Sequence, residues 1–190
     1  AFGDVRDDPI APLLGGGNQG GFRYEGSPRD LQISHCVLYS SLSDIDWPDE
    51  LDLQTGRFTY YGDNKTPGND LHGTKRSGNV ILRDMFSYLH LGSRERIPPV
   101  FIFSKGASGR EVIFRGLAVP GALGLGQRDD LVAVWKSTSG KRFQNYKSVF
   151  TILDEPIIPR GWLNRVRGDG DPTVDAPPAG LQWRKSGIYK

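Results

Sequence analysis

Between Trp47 and Asn79 the chain reads W-P-D-E-L-D-L-Q-T-G-R-F-T-Y-Y-G-D-N-K-T-P-G-N-D-L-H-G-T-K-R-S-G-N. An indole, a phenylalanine, two tyrosines and the carboxylate of Asp52 come ahead of a glycine-punctuated polar loop that ends in Lys75 and Arg76. Such residues are what a protein needs to hold a nucleobase outside its duplex. Aromatic faces stack on the base, a carboxylate accepts from an exocyclic amine, and a cationic finger meets the duplex left behind. The segment R-F-T-Y-Y at 57–61 is strongly β-prone. On a strand, Phe58 and Tyr60 face one way and Arg57, Thr59 and Tyr61 the other. One aromatic of the 60/61 pair can then line a pocket while its neighbour packs into the core.

The elements that must position these groups follow from periodicity and punctuation. Residues 1–30 are rich in Gly, Asp and Pro and read as an irregular arm. The run L-Q-I-S-H-C-V-L-Y (31–39) alternates as a strand. The spacing of Val80, Leu82, Met85, Phe86 and Leu89 predicts a helix over 79–91, with Gly92 placed to stop it. Strands at 99–104 and 111–119 flank the turn K-G-A-S-G-R, and strands at 130–136 and 143–153 flank S-T-S-G-K. Between these hairpins lies a glycine-rich loop at 120–128. A short helix is expected within 157–167. Residues 169–180 have linker composition, and 181–190 read as the start of a following segment. The expected organisation is therefore one domain over 1–168 and a linker with the beginning of something further over 169–190.

Composition bounds the class. A chain of 190 residues with 25 Gly and 13 Pro suits one domain of short strands and many turns. No apolar run approaches the roughly 20 residues that cross a bilayer, and the acidic start has no signal-peptide pattern. The one cysteine, Cys36, forbids an internal disulfide and fits a reducing compartment. The net charge of +2 is unevenly spread. Residues 1–52 carry 3 Lys/Arg against 10 Asp/Glu, whereas residues 53–168 carry 18 against 9. A basic body of this kind favours an anionic partner.

Bond-breaking chemistry finds little support. There is no acidic-x-Lys triplet on the strand that holds Asp130 and Lys136, and His35, His72 and His90 stand too far apart for a His-Asn-His arrangement. P-G-A-L-G-L-G lacks the Lys-Ser/Thr that closes a phosphate loop, and no G-x-S-x-G occurs. One Cys and three His without ligand spacing argue against a metal site. No catalytic residue, metal or cofactor is expected.

The run F-T-Y-Y-G-D-N-K-T-P-G-N-D-L-H-G-T-K-R resembles the pocket and finger of SRA domains, which read 5-methylcytosine by flipping it from the duplex. T-G-R-F-T-Y-Y-G-D-N-K-T-P-G with L-H-G-T-K-R-S-G-N is similar to the N-terminal domain of AspBHI-type modification-dependent restriction endonucleases, in which an SRA-like reader precedes a separate nuclease domain. K-R-F-Q-N-Y-K-S-V-F-T-I-L and I-I-P-R-G-W-L also resemble that family, so the likeness runs over roughly residues 20–165. It implies an α+β fold with a curved, barrel-like β core and one or two flanking helices. It implies that Tyr60 stacks on the flipped base, Asp52 accepts its exocyclic amine, Trp47 offers the opposing face, and backbone groups near Tyr61 and Gly62 read the remaining edge. Lys75 and Arg76 become the finger, and Asn64, Lys65, His72, Thr74 and Asn79 its DNA-contacting surroundings. The chain departs from the SRA pattern in having Thr74 for Asn and Tyr61 for Thr, with a longer loop.

From their chemistry Lys141, Arg142, Gln127 and Arg128 join the DNA-contacting candidates, since Gln and Arg read base edges and cations meet phosphates. The expected function is binding of double-stranded DNA that carries 5-methylcytosine or a related modified cytosine, in a bacterial cytoplasm. The nuclease domain lies outside this chain, and any homo-oligomer forms through the full-length protein. Two other readings stay open: a binder of unmodified DNA or RNA without flipping, and a small stand-alone nuclease.

Overall fold

A computed structural model describes residues 9–15, 20–168 and 170–189. In chain order the elements are α1 (Ala11–Leu14), β1 (Phe22–Ser27), β2 (Gln32–Ser40), β3 (Glu50–Leu51), β4 (Arg57–Tyr61), α2 (Gly78–His90), β5 (Val100–Lys105), β6 (Val112–Pro120), β7 (Leu131–Thr138), β8 (Lys141–Ile152), α3 (Arg160–Arg167) and α4 (Pro178–Ser186). The strands at 31–39 and 57–61, the helix after the polar loop and both hairpins are where hydrophobic period predicts them. The arm expected at 1–30 instead contains α1 and the strand β1, whose F-R-Y-E-G-S pairs antiparallel with β2. Residues 1–8 and 16–19 of that arm lie outside the described residues.

The β-rich core is one open sheet in the order β1-β2-β5-β6-β8-β4-β3, with β7 beside β8. Every pair is antiparallel except β2 with β5. This corrects the expected barrel: β1 and β3 end the sheet at opposite edges and do not meet, so the mixed α+β class holds without closure. The long strand β8 is the hub. One edge pairs with β7 over Lys141–Ser148 and then with β6 from Phe150 to Ile152. Its other edge pairs with β4, Tyr61 opposite Lys147 and Arg57 opposite Thr151.

The helix α2 packs on the sheet through Ile81, Leu82, Met85 and Phe86, all fully buried. The rings of Phe86 and Phe150 meet edge to face with centroids 5.5 Å apart. Ser77, the residue before the helix, has φ 54° and makes no side-chain cap. The cap comes from Asp63 on the preceding loop. Its Oδ2 accepts from Gly78 N at 2.9 Å and its Oδ1 from Asn79 N at 2.9 Å. A carboxylate there satisfies free N–H groups and sits favourably against the helix dipole. The start of α2 is thereby locked to the end of β4.

The tail differs from a simple linker. Residues 170–177 lead into α4, which lies on the body and buries Trp183. Arg184 donates to the carbonyls of Glu95 at 2.8 Å and Ile97 at 2.6 Å. Cys36 is fully buried, and that burial raises its thiol well above the ordinary range, which makes it a small core hydrophobe. No helix among the described residues is long and apolar enough to cross a membrane.

Candidate functional site

The alternation of β4 resolves which tyrosine faces where. Phe58 and Tyr60 point into the core, 1 % and 4 % exposed. The Tyr60 ring lies 5.8 Å from Phe58 and 6.3 Å from Phe22. Tyr61, on the other face, is half-buried and sits 5.5 Å from Trp47. Tyr60 is therefore a core aromatic, in contrast to the open stacking face expected of it. Burial raises its hydroxyl far above the usual range, with the nearby charge of Asp49 adding to the effect.

Asp52 is also displaced from its expected role. Glu50 pairs with Thr59 and Leu51 with Phe58. Asp52 N continues that ladder by donating to Arg57 O at 2.9 Å. Asp52 thus lies three residues, or roughly 10 Å, along the strand from Tyr60. Its carboxylate forms the hairpin turn, accepting from Gln54 N at 2.9 Å and Thr55 Oγ1 at 2.6 Å. The Thr55 bond, with the backbone bonds, holds it below the ordinary carboxylate range.

The same register brings Asp49 alongside Tyr60 and Tyr61. Asp49 Oδ1 accepts from Tyr61 N at 2.8 Å and Oδ2 from Ser40 Oγ at 2.7 Å. Burial raises Asp49 above the ordinary carboxylate range, against the lowering effect of these two bonds. The result is a partly buried, oriented carboxylate at the junction of β2 and β4. Ionisation there costs folding free energy as pH rises through the raised pKa.

Ser40, which bonds Asp49, follows Tyr39, whose N–H donates to Gly21 O at 2.7 Å, and Gly21 lines a cleft of about 270 Å³ with Gly20, Phe22, Asp63, Lys75 and Arg76. Tyr60 lies between Asp49 and this cleft, with its chain neighbour Tyr61 bonded to Asp49 and its own hydroxyl against Gly21 of the cleft wall. A Cβ on Gly21 would fall 2.7 Å from the Tyr39 carbonyl oxygen and 3.1 Å from Tyr60 Oη. The cleft wall therefore depends on glycine at that position. Lys75 is exposed and Arg76 half-buried at the rim.

Trp47 is only 5 % exposed. Its ring meets Tyr61 and, edge to face at 5.9 Å, Phe143, and Lys136 Nζ stands 4.9 Å over it. It is a packed wall beside Tyr61, not an open face. Gly62 has no free backbone edge for a ligand: its N–H donates to Tyr146 O at 2.9 Å and its C=O accepts from Asn145 Nδ2 at 2.9 Å.

Behind this wall three buried asparagines tie the loop to the sheet. Asn145 Oδ1 accepts from Asn64 N, Asn79 Nδ2 and Tyr146 N at 3.2, 3.0 and 3.0 Å. Asn64 Nδ2 reaches Gln144 O at 2.7 Å, and Asn79 Nδ2 reaches Leu71 O at 2.9 Å. Asn64 and Asn79 are 1 % and 0 % exposed, so both act as internal braces in place of the surface contacts expected. Thr74 belongs to the same bracing, with Oγ1 on Asp63 Oδ2 at 2.7 Å. His72 Nε2 lies 3.0 Å from the Tyr146 hydroxyl. Lys65 pairs with Asp44 at 2.7 Å.

The other candidates divide. Lys141 and Arg142 are exposed at the tip of the β7–β8 hairpin, and the Lys141 side chain runs against Gly68 of the loop. Gln127 and Arg128 sit at the far end of α2, where Gln127 Nε2 meets His90 O at 3.4 Å. The helix of 13 residues separates them from the finger at its start by roughly 18 Å. The fold does not bring them to the cleft. Sequence reasoning missed Asp49, Asp63, Ser40, Asn145 and the Gly20–Gly21 wall. Asp49 had a legible signal, because D-L-Q-T-G is a turn sequence that makes Asp52 a turn-former and leaves Asp49 opposite Tyr60. Among the described residues no three His, Cys, Asp or Glu side chains group as a metal site.

Solved restriction-enzyme structures share this fold. One is the DNA modification-dependent restriction endonuclease AspBHI, at 49 % identity with a TM-score of 0.92, covering 96 % of this chain and 84 % of that one. A second is the DNA recognition domain of the cytosine modification-dependent restriction endonuclease LpnPI, at 42 % identity and TM-score 0.86, covering 100 % and 85 %. The MspJI restriction endonuclease, solved in complex with a 27-mer oligonucleotide, shares the fold at 21 % identity and TM-score 0.64, covering 87 % of this chain and 41 % of that one. The family model for the N-terminal part of restriction endonuclease AspBHI matches residues 2–190, and the chain belongs to that family. No curated protein sequence matches the chain.

Proposed function

We propose that this domain binds double-stranded DNA and reads a modified cytosine extruded from the helix, within a modification-dependent restriction endonuclease whose cutting is done elsewhere. The observation that carries the reading is Asp49: a partly buried carboxylate with a raised pKa, held by Ser40 Oγ and Tyr61 N and joined through Ser40 and Tyr39 to the Gly21 wall of a cleft rimmed by Lys75 and Arg76. A carboxylate suits the N4 amine of cytosine, which is a donor edge. Phe22 and the glycine wall supply the apolar side of the cleft, where a 5-methyl group would lie. Lys75 and Arg76 then face the duplex that the base has left. Family membership and the likeness to the DNA recognition domain of the cytosine modification-dependent endonuclease LpnPI support DNA recognition directed at modified cytosine.

A panel of otherwise identical duplexes bearing cytosine, 5-methylcytosine or 5-hydroxymethylcytosine, measured at one salt concentration, tests the reading. At least one modified duplex is expected to bind about tenfold or more tighter than the unmodified one. Equal affinity across the panel would overturn it.

The finger carries its own expectation. Replacing Lys75 and Arg76 together by alanine should weaken binding to modified and unmodified duplexes alike. If both contact phosphates, the dependence of log affinity on log salt should flatten by about 2. A salt titration of the double variant checks this. An unchanged slope would remove both residues from the phosphate contacts.

A further inference from the structure

The chain has four tryptophans. Trp47, Trp162 and Trp183 are buried, whereas Trp135 is 59 % exposed. It stands on β7, which pairs with β8 and has its other edge open among the described residues. In the ladder Trp135 lies opposite Gln144 and Ser137 opposite Arg142, so Arg142 is diagonal to the indole on one face of the hairpin. The guanidinium carbon sits 4.5 Å over the indole ring. One face of the ring is covered by a cation, and the exposed remainder faces solvent.

The surroundings select the partner. Residues 131–153 contain Lys136, Lys141, Arg142 and Lys147 and no Asp or Glu. The hairpin is braced against the loop after β4 and against Trp47. Asn64 Nδ2 bonds Gln144 O at 2.7 Å on the loop side, and Phe143 packs on Trp47 on the opposite face. Lys136 is held there by Asp46 at 2.6 Å, which leaves Lys141 and Arg142 at the exposed tip. An aromatic platform backed by arginine in a wholly cationic hairpin suits stacking on bases or sugars of a polyanion.

We propose that the Trp135–Arg142 platform is a second DNA contact, seated on nucleotides that flank the base taken into the cleft. This rests on the DNA-reading function above and adds a contact that does not itself discriminate modification. Trp135→Ala should weaken binding of modified and unmodified duplexes equally, by about 5- to 100-fold at fixed salt, because one stacked base is worth that much. Trp135→Phe should keep most of the affinity. In the unsubstituted protein, acrylamide quenching of tryptophan emission should fall when either duplex is added, since Trp135 is the exposed indole. Unchanged quenching in the complex, or unchanged affinity of Trp135→Ala, would overturn the proposal. So would loss of affinity confined to the modified duplex, which would assign Trp135 to base selection instead. Failure of the reading beneath it looks different: the unsubstituted protein would then show no preference between the duplexes at all.

Discussion

Asp49→Asn is expected to lose about 10- to 100-fold of the affinity for modified duplex, while Asp52→Asn keeps it. The first change leaves one acceptor oxygen, which stays with Tyr61 N, so the charge-assisted hydrogen bond to the base amine, worth roughly 1.5–3 kcal/mol, is lost. The fold should tolerate it. Asn retains an oxygen for Tyr61 N and removes a carboxylate whose ionisation is disfavoured by burial. Since the folded-state pKa of Asp49 is raised, neutralising it does not remove stability at neutral pH. Asp52 is exposed and occupied with Gln54 and Thr55, so its substitution disturbs a turn and no base contact. Affinities of both variants for modified and unmodified duplexes, with thermal melts alongside, decide between the two carboxylates. Loss of preference in Asp52→Asn alone would reverse the assignment.

The second large effect is on stability. Tyr60→Ala should destabilise the domain by about 3–5 kcal/mol, the cost of truncating a buried aromatic. The ring fills the core between Phe22 and Phe58, and its loss leaves a void under the cleft. Tyr60→Phe keeps the ring and should cost less than about 1.5 kcal/mol. It should also keep the preference for modified DNA. Denaturant unfolding of both variants checks the first claim and duplex binding by Tyr60→Phe the second. A Tyr60→Ala variant as stable as the parent would return Tyr60 to the stacking role implied by family resemblance.

Neither the role of Asp49, beyond what the Asp52 turn signals, nor the burial of Tyr60 is legible in local sequence. β4 was legible because R-F-T-Y-Y alternates and ends at Gly62, and α2 because its apolar period stops at Gly92. Which of Tyr60 and Tyr61 faced inward could not be read locally, since alternation gives two faces without saying which is covered. The covering comes from Phe22, far away in sequence on a strand hidden within a glycine-rich stretch. The choice of Asp52 over Asp49 followed a family pattern. The register of the β3–β4 hairpin, fixed by its turn, sets Asp49, three residues upstream, beside Tyr60 and Tyr61. Asn64 and Asn79 looked like surface polar residues because nothing local announced their partner, Asn145, on β8. Sheet closure was illegible for the same reason: it depends on whether β1 and β3 meet, and those edges are set by pairings with β2 and β4.

In the proposed function the modified base leaves the helix to be read beside Asp49. Unpairing and unstacking cost a few kcal/mol, and that cost is smallest when the base has no partner. The most direct measurement compares affinity for a duplex in which 5-methylcytosine is paired with guanine against one in which it faces an abasic site, at one salt concentration. The abasic duplex is expected to bind more tightly, by about tenfold or more. Equal or weaker binding would contradict extrusion of the base.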